Sequence, residues 1–154
     1  MEEWPPNYSE QVMAPGPNVM LGITAGGSGD LPGTHMKWEP AKGLPYVPSP
    51  LVYRGRFYLL ATGGFVTCAD VKTGRAICEK ERLGVGGEYY ASPVGVGDQV
   101  LLCSERGAVF LIKTGGTLQI AHRIDLGEPS FARPAVVDNT TYLRSAKFLW
   151  AFSK

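Results

Sequence analysis

Several groups of side chains in this sequence are of types that do chemistry, and their spacing decides what each could do. Gly26-Gly27-Ser28-Gly29-Asp30 has the glycine content of a phosphate cradle. A cradle needs its glycines to leave a strand and open a helix, so that backbone amides aim at the anion. Leu31-Pro32-Gly33 and then an alternating pattern follow instead, and the stretch reads as a loop. His35 and His122, the two histidines, sit far apart with no further ligand at metal spacing. Ser49, Ser92 and the scattered aspartates lack the strained turn that exposes a nucleophilic serine. Three cysteines in no metal pattern describe neither a zinc site nor a disulfide framework. Cys68 and Cys78 lie symmetrically about Thr73, so a hairpin turning there sets them face to face; the favoured reading is two half-buried thiols acting as small core residues. No catalytic group, metal site or cofactor site is expected from these residues, and the chain reads as a non-enzyme.

The elements that carry these residues repeat. The stretch 46–84 is read again, with changes, over 89–127: Ser49-Pro50-Leu51-Val52 answers to Ser92-Pro93-Val94-Gly95, Gly64-Phe65-Val66 to Gly107-Ala108-Val109, and Leu83-Gly84 to Leu126-Gly127, each 43 residues on. A shorter third copy spans 131–154, with Arg133-Pro134-Ala135-Val136 in the Ser-Pro place and Lys147-Phe148-Leu149-Trp150 in the Gly-Phe-Val place. Units of roughly 40–50 residues built from short strands are the signature of propeller blades.

Alternation and turn chemistry place the strands within each unit. The first full blade is expected as 51–53, 57–62, 65–70 and 75–83, with turns at Arg54-Gly55, Gly63-Gly64 and Val71-Lys72-Thr73-Gly74. The second follows as 94–96, 99–104, 108–113 and 118–125. The third has 135–137, 140–144 and 148–152, with no fourth strand. Upstream, 18–25 and 34–39 give a partial blade within 18–40, and 1–17, with four prolines, reads as an irregular arm. The fold class is therefore all-β: a partial propeller of four-stranded antiparallel blades, two full and two partial. So few blades cannot close a ring, since rings use roughly four to eight. The chain is either part of a longer propeller or an arc that associates through its open blade edges.

Tyr46, Tyr89, Tyr90 and Phe131 stand just before the innermost strands, where propeller loops converge on the axial face. There they either form a surface for a peptide or protein partner or pack between blades. Trp38 and Trp150 read as wedges between blades.

Composition narrows the partner classes. A net charge of +1, with basic residues scattered singly among acids, gives no nucleic-acid groove. The longest apolar runs, such as Phe57-Tyr58-Leu59-Leu60-Ala61, are too short to span a bilayer as a helix. Met1-Glu2-Glu3-Trp4-Pro5-Pro6 is acidic and prolyl where a secretory signal would be basic and then apolar, so no signal peptide is read here.

The repeats resemble those of the pyrroloquinoline-quinone (PQQ)-type propeller family, and within it the BamB-like bacterial repeat proteins. The likeness covers about 18–152. It rests on Ser49-Pro50-Leu51-Val52-Tyr53 with Gly55-Arg56-Phe57-Tyr58, on Asp70-Val71-Lys72-Thr73-Gly74, on Tyr90-Ala91-Ser92-Pro93-Val94, and on Tyr142-Leu143-Arg144 with Leu149-Trp150-Ala151-Phe152. In the turn, Asp70 accepts backbone amides, Thr73 supports it and Gly74 tolerates positive φ, which fixes the hairpin register. Where family blades place Ala and Trp around this turn, the chain has Cys68 and Cys78, and the second repeat has Lys113 at the Asp place. The resemblance implies a non-enzymatic scaffold presenting a protein–protein interaction surface, in an extracytoplasmic or periplasmic setting. Its alternative implication is a fragment of a PQQ-dependent quinoprotein oxidoreductase lacking its catalytic blades. No stretch matches the axial quinone and calcium site of such enzymes, so no cofactor is carried over.

Overall fold

A computed structural model describes residues 22–23, 36–38 and 44–153. The arm at 1–17, the glycine loop at 26–30, His35 and the side chain of Trp38 lie outside the described residues. Every regular element described is a β-strand, and no helix occurs among the described residues.

Two short strands, β1 (Gly22–Ile23) and β2 (Met36–Trp38), pair antiparallel as a sheet of their own. The first four-stranded sheet runs β3 (Leu51–Tyr53), β4 (Arg56–Ala61), β5 (Phe65–Asp70), β6 (Ala76–Arg82) in chain order. The second repeats it with β7 (Val94–Val96), β8 (Gln99–Cys103), β9 (Ala108–Lys113) and β10 (Ile120–Asp125). A three-stranded sheet, β11 (Ala135–Val137), β12 (Thr140–Arg144) and β13 (Leu149–Ser153), completes the described chain. All pairings are antiparallel, and β7 lies beside both β3 and β11, so the innermost strands of the three larger sheets are neighbours. This is the arrangement of a partial β-propeller.

The sequence of each strand follows its place in the blade. Central strands β4 and β5 are buried at all four interior positions because both sheet faces are covered, hence the unbroken run Phe57-Tyr58-Leu59-Leu60. Outer strands β6 and β10 are largely exposed and carry the charged residues Glu79, Lys80 and Arg123, which suit a solvated edge. The β3–β4 hairpin turns through Arg54 and Gly55, both at positive φ (49° and 73°), the pairing that matches strand twist in a two-residue loop. Strand β10 begins at Ile120, later than the alternation at Leu118 suggests. The Lys113 amide bonds to the Gln119 carbonyl at 2.9 Å, so the turn holds the residues between them outside the ladder.

Core lies between sheets, not within one. Tyr58, Leu60, Val66 and Cys68 of the first blade meet Val100, Leu102, Phe110 and Ile112 of the second in one cluster. A smaller cluster joins Leu101, Cys103 and Val109 to Leu143 and Trp150 of the third. Phe57, Leu59 and Ala69 form another on the opposite face of the first blade, with Leu44 against it.

Candidate functional site

The lead-in segments of the inner strands and the turns between second and third strands meet on one side of the arc, and hydrogen bonds lock them together. The Gly63 amide reaches the Gly87 carbonyl at 2.8 Å, and the Leu83 amide reaches Gly64 at 2.9 Å. One repeat on, the Leu126 amide bonds to Gly107 at 3.0 Å, and Ser130 to the Glu105 carbonyl at 3.0 Å. Glycine is required at these turns: Gly64 and Gly107 have φ of 72° and 85°, and the next lead-in passes directly over each. A Cβ on Gly64 would lie 2.6 Å from the Val85 carbonyl oxygen, and one on Gly107 would collide with that of Glu128.

Three glutamates finish the bracing. The Glu88 carboxylate accepts Thr62 Oγ1 at 2.8 Å, and Glu105 Oε1 accepts the Glu88 amide at 3.1 Å. Glu128 accepts Ser145 Oγ at 2.6 Å and the Lys147 amide at 3.1 Å, while Trp150 Nε1 donates to the same Ser145 Oγ at 2.8 Å. Sequence reasoning missed these acids. No shared spacing marks them: Glu88 stands four residues after Leu83-Gly84, and Glu128 directly after Leu126-Gly127.

On this braced platform the four aromatic residues separate. Tyr90 and Phe131 sit with ring centroids 5.8 Å apart, 38% and 58% exposed. They hold equivalent places, three residues before Pro93 and Pro134. Tyr46 is 90% exposed and stands apart from this ring contact. Tyr89 is not a surface residue: it is 1% exposed within the core between the first two blades, and its hydroxyl donates to the Val85 carbonyl at 2.8 Å. Burial pushes its phenol up to about 12. Alternation explains the split, since adjacent residues in an extended segment point to opposite sides. Beside Phe131 a cleft of about 310 Å³ is lined by Phe131, Ala132, Arg144, Ser145 and Ala146. An aromatic ledge and Arg144 thus adjoin one depression, while the Ser145 hydroxyl is taken up by Glu128 and Trp150.

The other sequence-derived residues have structural surroundings. Ser92 Oγ accepts the Ser49 amide at 2.9 Å, and no hydrogen bond to it from a histidine or carboxylate occurs among the described residues. His122 lines an apolar cleft of about 280 Å³ between the second and third blades, with Val96, Leu101, Ile124, Leu143 and Phe152. No group of three or more metal-ligating side chains occurs among the described residues. Asp70 Oδ1 accepts the amides of Lys72 (3.0 Å) and Thr73 (2.9 Å) and Thr73 Oγ1 (2.9 Å), and Gly74 takes φ of 70°. The bonds from Thr73 hold its carboxyl below the ordinary carboxylate range. Trp150 packs against the cluster joining second and third blades.

No protein-family profile matches the chain, and no curated protein matches it. Among solved structures it is similar to the computationally designed Ika8 and Ika4 proteins, each with a TM-score of 0.63 and 12% identity over 77% of this chain. The matched region covers 36% of Ika8 and 72% of Ika4. BamB from Moraxella catarrhalis aligns with a TM-score of 0.39 and 17% identity, over 75% of this chain and 48% of that one. The chain therefore spans about a third of the length of Ika8 and about half that of BamB. The likeness to the designed pair is one of fold.

Proposed function

We propose that this chain is a segment of PQQ-type propeller repeats that acts without catalysis, as a rigid scaffold presenting a protein-contact surface. The surface is the ledge formed by Tyr90 and Phe131 with the cleft beside them. The observation that carries this reading is the Tyr90–Phe131 ring contact, kept partly open to solvent on turns that are hydrogen-bonded from blade to blade. Paired aromatics on a stiff platform lose little conformational entropy on binding and give large contact area, which is what a binding hot spot needs. Arg144 at the cleft favours a partner segment with an acidic or carbonyl-rich side.

A photo-crosslinking residue placed at Phe131 tests this, with Val52, 63% exposed on an inner strand, as control position. A discrete adduct at position 131, competed by unlabelled chain and lost on Tyr90→Ala, is the expected result. Identical adduct patterns from both positions would sink the proposal.

A further inference from the structure

Cys68 on β5 and Cys78 on β6 are direct partners in the ladder between those strands. Residues opposed on antiparallel strands have Cα atoms about 4.5–5.5 Å apart and project from the same face, within the roughly 4.4–6.8 Å that a disulfide bridges. The register slips on both sides of this pair, between Val66 and Cys68 and again between Cys68 and Ala69. Lys80, just beyond Cys78, takes φ of 50°. Two irregularities thus bracket one matched position, and the two residues matched there are thiols. Both are buried, 3% and 4% exposed, in the cluster between the first and second blades. Cys103 differs: it is opposite Val109 in its own ladder and belongs to the cluster between second and third blades.

We propose that Cys68 and Cys78 form a disulfide within the first blade when the chain meets a small-molecule disulfide such as oxidised glutathione, clamping outer strand β6 to the sheet. Cys68 thiolate attacks one sulfur of the small disulfide, giving a mixed disulfide and releasing one small thiolate. Cys78 thiolate then attacks the Cys68 sulfur and expels the second. Two protein thiols are oxidised, one small disulfide is reduced to two thiols, and the protein protons end on those thiols. The interaction with Cys78 holds the Cys68 thiol below its ordinary range and pushes Cys78 up, which suits Cys68 as the first nucleophile. Both cysteines are buried, so exchange in the folded state waits on opening at β6, an outer strand with exposed Glu79 and Lys80 and an interrupted ladder.

The test refolds the full chain from denaturant in a glutathione redox buffer, which removes the barrier of access, then traps remaining thiols with an alkylating agent and measures intact mass. Trypsin cuts after Lys72 and Arg75, so the two cysteines fall on separate peptides unless bonded. The expected result is loss of two hydrogens, one alkylated thiol at Cys103, and a Cys68–Cys78 linked peptide that reduction separates. Cys103→Ser retains the link, and Cys78→Ser abolishes it. Three alkylated thiols in wild type after oxidative refolding, or bonds that involve Cys103 or join two chains, would overturn the proposal.

Discussion

The amide of Ser49 donates to Oγ of Ser92 at 2.9 Å, joining two residues that hold the same place in successive repeats. The step from first to second blade is thereby a hydrogen-bonded one at the head of the inner strands. Arg133 holds that place in the third repeat, and a guanidinium accepts no hydrogen bond, so the second step cannot copy the first. Ser92→Ala is expected to lower stability by about 1 kcal/mol in urea unfolding, with an unchanged m-value, the ordinary worth of one such bond.

Gly107 and Gly97 both have positive φ, 85° and 59°, but only Gly107 is overlain by backbone. Gly97→Ala should cost about 1 kcal/mol, the left-handed backbone penalty alone. Gly107→Ala adds the collision with Glu128 and should cost about 3 kcal/mol. Equal midpoints for the two variants would contradict the stacking of lead-in on turn.

Tyr89 gives the chain an alkaline limit. Its phenol is raised from 10.0 to about 12, so its contribution is fully present below pH 10 and is lost as pH rises through the folded value. Thermal unfolding followed from pH 8 to 12 should fall more steeply in wild type than in Tyr89→Phe. At neutral pH the Phe variant loses the bond to Val85, about 1 kcal/mol.

Asp70 sets an acid dependence of opposite sign. Its carboxyl is held below the ordinary 3.8 by Thr73, so the contribution is present above that value and disappears as pH falls through the lowered one. Asp70→Asn should lower the melting temperature at pH 7 and flatten its decline below pH 4, read by circular dichroism. A wild-type slope in the variant would mean that another acid carries the effect.

The outward face of the third blade bears Val137, Tyr142 and Leu149, which are 57%, 37% and 71% exposed. Register places them together, since Tyr142 pairs with Ala135 and Ala151, and Leu149 with Arg144. Apolar surface of this kind drives association. Sedimentation at rising concentration should show self-association that Leu149→Lys reduces at least several-fold, without loss of the β spectrum.

The parts of this molecule that could be read in the sequence are those whose causes are local or periodic. Asp70, Thr73 and Gly74 find their partners within a single turn, so their types and order suffice. Inner and central strands announce themselves by repetition at 43 residues and by unbroken apolar runs. The division of Tyr89 from Tyr90 depended on which side of the segment faced the core, and the packing that decides it comes from Gly64 and Val85 in the preceding repeat. Glu88, Glu105 and Glu128 looked like ordinary surface acids because their partners are amides and hydroxyls of turns and lead-ins 17 to 26 residues away in sequence. The two slips in β6 had no sequence marker, for Lys80 carries a positive φ that its residue type does not advertise.

Tyr53 lies flat against Gly95, where a Cβ would come within 2.5 Å of the ring, and its hydroxyl reaches the Gly97 carbonyl at 2.7 Å. At the following joint Val96 and Val136 hold those two places, and a cleft of about 340 Å³ opens around them. The first joint is filled and tethered at this level, whereas the second is open here and has no tether of this kind. The two joints are therefore closed by different means, a ring and its hydroxyl at the first, and the lead-in bond from Ser130 to Glu105 with the Leu143 and Trp150 packing at the second, so removing the Tyr53 ring loosens the first joint alone.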